Sequence, residues 1–211
     1  MVRRTIENNG VNPIDRERFE LIKHKHGGYS SWAVWAPATR GPKSNIGDLS
    51  VLDANANPMV LQTVNQAVVM VGLNISRSFE EPFRNFHDRN PNANDFKLRV
   101  AFTGTPHYGA YMTDIVKNIP MVKSGDLIRY LCENPAAMDS QIATFRDELR
   151  DLGCAQPTIL AFGSAAYKLL LRHLMPSEYR ALVRLTHYSH YIGKDKYRDT
   201  VLAALASWSA A

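Results

Sequence analysis

The stretch QAVVMVGLNISRS, residues 66–78, decides how the rest of the chain is read. Residues 67–71 form an unbroken apolar run rich in valine. Gly72 closes it, and the text turns polar at Asn74. A strand with one wet face alternates polar and apolar residues. A continuous apolar run suits a strand covered on both faces, as in a parallel sheet.

Working outward, similar runs recur. AYMTDIV (110–116), TILAFG (158–163, after Pro157) and ALVRLT (181–186) read as three further strands. Helical patterns separate them. Residues 139–153 place Ile142, Phe145, Leu149 and Leu152 at helical spacing, with Gly153 at the stop. Ser164 is positioned to cap the helix AAYKLLLRHL, which Pro176 ends. Residues 194–208 form a last helix with Tyr197, Val201, Leu202 and Leu205 inward, and a shorter helical piece falls near 95–102. This alternation predicts an α/β fold: three α/β/α layers around a four-stranded, mainly parallel sheet. The domain spans residues 65–211. Residues 1–64 precede it as a partly irregular extension packed on the domain, with YSSWAVW (29–35) a possible short strand.

Composition narrows the class. The 211 residues are 45% hydrophobic, enough for a core and against disorder. No stretch approaches the roughly 20 apolar residues that span a bilayer. The N-terminal MVRRTIENNGVNP has no apolar segment behind its arginines, unlike a signal peptide. Only Cys132 and Cys154 occur, which fits a reducing, cytoplasmic location and excludes a four-thiolate iron–sulfur site. A net charge of +5 mildly favours a polyanionic partner.

In parallel α/β sheets, ligands sit beyond the C-terminal strand ends. The chemistry is therefore sought at Asn74 and Ser76, Asp114 and Lys117, Gly163 and Ser164, and residues 187–191. Neither G-x-G-x-x-G nor G-x-x-x-x-G-K-[ST] is present, which argues against the usual nucleotide sites. No G-x-S-x-G elbow occurs. His187 and His190 lie three apart, and His87 precedes Asp88, but that spacing is also ordinary for loop histidines. No metal or cofactor is expected.

Five segments taken together resemble the uracil-DNA glycosylase superfamily. VGLNIS is similar to its first motif, nearest the G-I-N-P-G form of the mismatch-specific uracil/thymine branch. RNFHD (84–88) resembles that branch's N-R-F-W segment. AYMTDIVK and PTILAFGSAAYK resemble its middle strands, and THYSHY (186–191) stands where the family has [HN]-P-S-[PG]-L. The resemblance covers about residues 65–206, with each segment at a strand end.

The resemblance implies hydrolysis of the N-glycosidic bond of a flipped, deaminated or mismatched base in single- or double-stranded DNA, by a monomer. Asn74 would aim the water and His187 would donate to the leaving base. Gly72, Leu73, Phe86 and Asp114 would hold that base, with Phe86 stacking on it. Ser76, Arg77, Ser164, Ser189, Tyr191 and Lys194 would contact the DNA. An amide has no useful pKa near neutrality, so Asn74 offers positioning rather than base catalysis. The chain departs from the family at Ile75 and Tyr188, each in place of a proline. It also has Asp114 as the nearest counterpart of the base-specifying Asn. An ionised carboxylate only accepts hydrogen bonds, so Asp114 alters the base edge taken. A catalytically silent nucleic-acid- or nucleotide-binding member of the fold, and a base-releasing hydrolase of small nucleosides, are the alternatives.

Overall fold

The computed structural model describes residues 13–75, 77, 79–119, 121 and 123–209. Its strands are β1 (Ser31–Trp32), β2 (Asn65–Asn74), β3 (Ala110–Val116), β4 (Thr158–Phe162) and β5 (Ala181–Leu185). Its α-helices are α1 (Arg16–His26), α2 (Val60–Thr63), α3 (Phe96–Phe102), α4 (Ser124–Glu133), α5 (Pro135–Leu152), α6 (Gly163–His173) and α7 (Lys194–Ser209).

The sheet has five strands rather than the four expected, in the order β1-β3-β2-β4-β5. The four long strands pair in parallel. The fifth, β1, comes from within the YSSWAVW segment and lies antiparallel to β3, with Ser31 opposite Met112 and Trp32 opposite Tyr111. Its alternation predicted a strand, but two paired residues are too few to reveal sheet membership from pattern alone. Trp32 fixes its place. The indole is fully buried against Phe19, with centroids 6.0 Å apart, and Tyr111, at 5.0 Å.

Alternation along β2 separates the two covering layers. Val69, Val71 and Leu73 pack into one cluster with Phe19, Leu127, Phe145 and Leu170, from α1, α4, α5 and α6. Val68 and Met70 join the other with Leu98, Phe102, Tyr197 and Val201, from α3 and α7. Each large apolar side chain buried this way contributes about 1.5–3 kcal/mol before entropy is counted. The result is a helix–sheet–helix arrangement in which both faces of β2 are dry.

Two helix ends differ from expectation. α5 starts at Pro135, four residues before the periodicity becomes visible, because proline is well suited to a first turn. α6 begins at Gly163, and Ser164 makes no capping hydrogen bond. Ser164 sits inside the first turn and is exposed. In α7, Tyr197, Val201 and Leu205 are buried as expected, while Leu202 is half-buried.

Polar groups are also built into the first layer. Lys117, just past β3, pairs with Glu148 of α5 at 2.7 Å, both side chains fully buried. The Tyr111 hydroxyl donates to Glu148 Oε1 at 2.6 Å, and the Lys117 backbone N–H donates to Gln141 Oε1 at 2.9 Å. These bonds hold the C-terminal end of β3 against α5. No helix among the described residues is long and apolar enough to cross a membrane.

Candidate functional site

The parallel strands all end on one side, and a cavity of about 580 Å³ opens there. Its lining includes Leu73, Asn74, Asp114, Gly163, Ser164, His187, Tyr188 and Ser189, so these residues singled out from sequence share one space. A separate hollow of about 420 Å³, lined by Lys23, Asp53, Glu81 and Arg89 among others, contains none of them.

Asn74 ends β2. Its Nδ2 donates to the carbonyls of Met121, at 2.7 Å, and Ile75, at 3.1 Å. Two carbonyl acceptors can be served only by the amide nitrogen, so the orientation of the side chain is settled. Its Oδ1 takes no hydrogen bond from the described residues, and Asn74 lines the cavity.

His187 follows β5. The backbone N–H of Ser189 donates to its Nδ1 at 3.1 Å, and the Ser189 hydroxyl lies 2.8 Å from the same atom. A backbone N–H can only donate, so Nδ1 is the acceptor and the neutral ring carries its proton on Nε2. Burial lowers the pKa of the ring and favours this neutral form. His187 is thus a neutral Nε2–H donor. Gly163 turns the chain beside it at φ +87°, and a Cβ there would already stand 3.4 Å from the Cβ of His187.

Asp114 lies opposite Gly72 in the β2–β3 register. A Cβ at Gly72 would come within 2.2 Å of Asp114 Oδ1, so glycine is what lets the carboxyl lie over β2. Asn85 Nδ2 donates to Asp114 Oδ2 at 2.8 Å and to the Tyr29 carbonyl at 2.8 Å. Burial pushes the Asp114 carboxyl up to about 7, against the opposing pull of Asn85 and Lys117.

Other residues complete the lining. Asp95 precedes α3 but does not cap it. Its carboxyl accepts the Asp88 N–H at 2.8 Å, and burial pushes it up to about 6. Asp88 also lines the cavity and is ion-paired with Arg77, whose guanidinium lies 5.1 Å from the Phe79 ring centroid. Tyr188 stacks on His187 at 4.5 Å and meets Phe162 edge-on at 5.6 Å. Asp95, in a loop without periodicity, was not signalled by sequence; Asp88 was named only beside His87, and Tyr188 fell within the strand-end stretch 187–191 and as a departure from a motif.

The remaining expected residues lie around this space. Phe86 is 2% exposed, at φ +65°, with its carbonyl accepting from Trp35 Nε1 at 3.2 Å and its ring 6.3 Å from that of Tyr188. It is a wall behind the lining rather than part of it. Tyr191 is fully exposed, and Lys194 pairs with Asp195 at 2.7 Å. Ser76 lies outside the described residues. His87 is buried, with its Nε2 3.2 Å from the Trp32 carbonyl, and burial lowers its pKa to about 4. Among the described residues no group of three or more His, Cys, Asp or Glu side chains is arranged to hold a metal ion.

Comparison with known proteins gives no match. No family model, curated protein or solved structure matches the chain. The chemistry is therefore argued from the cavity's own residues. An acceptor fixed on Asn74 can orient a water. A neutral donor on His187 can stabilise negative charge developing on a departing group. Aromatic rings and carboxyl groups between them can hold a flat, polar ring.

Proposed function

We propose that the protein is a DNA glycosylase that hydrolyses the N-glycosidic bond of a base turned out of the DNA stack. The observation that carries this reading is the pairing of functions in one cavity. The two carbonyls that occupy the Asn74 amide nitrogen leave Oδ1 without a donor among the described residues, and His187 Nε2–H is set by Ser189. Hydrolysis needs a water aimed at C1′ and a donor for charge that builds on the leaving base. The base must be extruded to reach such a pocket, and exposed Tyr191 is suited to stack in the space it leaves. The motif order described above agrees with this reading, and the reaction needs no metal or cofactor.

A base-release assay tests it. Single- and double-stranded oligonucleotides carrying a panel of modified bases should acquire abasic sites with the wild-type protein and lose that reactivity with Asn74→Ala. An absence of abasic sites across the panel would overturn the reading.

Tyr188 favours a second reading. Its ring stands on His187 in the place of the family's second-motif proline. A catalytically silent nucleic-acid binder would show salt-dependent DNA affinity, unchanged by Asn74→Ala, with no base released.

A further inference from the structure

We propose that Asp114 Oδ1 reads the base, and that the cavity selects a damaged base retaining an exocyclic amine rather than uracil. This takes the cavity as the base pocket of the excision reading above and names what enters it.

Three features carry the inference. Asp114 is only 4% exposed, yet its Oδ1 takes no hydrogen bond from the described residues and the residue lines the cavity. A carboxyl oxygen on a buried residue, without a hydrogen bond from the described residues and beside a cavity, is available to a ligand donor. Its other oxygen is committed, because Asn85 Nδ2 serves Oδ2 and the Tyr29 carbonyl together. The surrounding wall adds acceptors, since Asp95 and Asp88 line the same space. Among the described residues, Arg77 is paired with Asp88 and Lys117 with Glu148.

A uracil-type edge presents two carbonyl oxygens around one N–H. Against this wall those oxygens would oppose carboxyl oxygens, and the mismatch would be desolvated on both sides. An amino group in place of a carbonyl reverses the pairing. Its N–H donates to Oδ1, and a positively charged alkylated base adds charge attraction.

The lock by Asn85 makes the test sharp. In Asp114→Asn the new amide must turn its oxygen toward the Asn85 donor. Its own NH₂ then replaces an acceptor with a donor at the cavity face. The experiment compares matched pairs in which an amine replaces a carbonyl and the adjacent ring N–H becomes a bare nitrogen acceptor. Binding of free cytosine against uracil, and adenine against hypoxanthine, is measured by NMR titration. Release of 5-hydroxycytosine against 5-hydroxyuracil is measured from oligonucleotides.

The wild-type protein should favour the amino partner by at least about tenfold in each pair, and Asp114→Asn should reverse the order. A wild-type preference for the carbonyl partner, or a ratio unmoved by Asp114→Asn, would overturn the inference while leaving base excision intact. The expected binding order and reversal without release from any oligonucleotide would support the pocket's selectivity and overturn excision instead.

Discussion

Asn85 donates to Asp114 Oδ2 and to the Tyr29 carbonyl, both at 2.8 Å. One amide thereby joins the segment before β2 to the carboxyl that lies over Gly72. That segment also supplies β1, so it contributes to the sheet and to the site's alignment. The bond lowers the Asp114 pKa against the larger effect of burial. Asn85→Ala should therefore raise the Asp114 carboxyl further, above about 7. Removing a buried partner should also cost about 1–3 kcal/mol of stability. Carbon-13 NMR titration of the Asp114 carboxyl checks the first outcome and urea unfolding the second.

The same carboxyl gives stability a pH dependence of definite sign. Its folded-state pKa, about 7, stands above the ordinary value of 3.8. The folded protein therefore binds this proton more tightly than the unfolded chain. The contribution is fully present below about pH 4 and is lost as pH rises toward 7. Asp95, pushed up to about 6, acts in the same direction. Asn85, Lys117, Glu148 and Asp95 are the groups acting on Asp114 across this range. The Asp114 share of the unfolding free energy should fall from pH 4.5 to 7.5, with a limiting slope of about 1.4 kcal/mol per pH unit, while buried His87, lowered to about 4, acts in the opposite direction up to about pH 6.5. The difference between wild type and Asp114→Asn isolates that share, because His87 and Asp95 contribute to both curves.

Base release should depend on Asn74 and His187 to different degrees from their neighbours. Asn74→Ala removes the oriented acceptor, and His187→Ala removes the donor. Each should slow single-turnover release by about 10²–10³-fold. Ser189→Ala should cost far less, because the Ser189 backbone N–H still holds His187 Nδ1. Asn74→Asp should not rescue the rate. A carboxylate there would face the Met121 and Ile75 carbonyls that now accept from the amide.

The layers were legible because β2, α5 and α7 declare themselves by periodicity. The uninterrupted run at 67–71 required two covered faces, and Val69 and Met70 point into opposite clusters. α1 was not legible. RERFELIKHKH is mostly charged and buries only Phe19, Ile22 and His26, so its apolar face is too narrow to read, although Asp15 caps it by accepting from Arg18 N–H. The strand-end rule brought Asn74, Asp114 and His187 to one cavity. Asn85 and Asp95 escaped it because they come from the irregular stretch between β2 and β3, where position is set by long-range hydrogen bonds rather than local pattern.

Tyr191 separates binding from folding. It is fully exposed. Tyr191→Ala should leave unfolding free energy within about 0.5 kcal/mol of wild type. If it stacks in DNA, the same change should weaken binding to a duplex with an abasic or modified site by about 1–3 kcal/mol. Fluorescence anisotropy beside thermal unfolding distinguishes the two effects.

The Lys117–Glu148 pair supports the site from beneath and should behave unlike a surface ion pair. Both side chains are fully buried, and the ammonium lies 4.8 Å from the Tyr29 ring centroid and 5.4 Å from that of Phe145. Lys117→Met would strand the Glu148 charge, with only Tyr111 left as a donor among the described residues. Such a loss typically costs about 3–5 kcal/mol. Replacing both partners, in Lys117→Met with Glu148→Leu, removes the stranded charge and should recover much of that loss. Urea denaturation of the two single variants and the double variant measures the coupling. A double variant no more stable than Lys117→Met alone would show that the pair acts through something other than charge compensation.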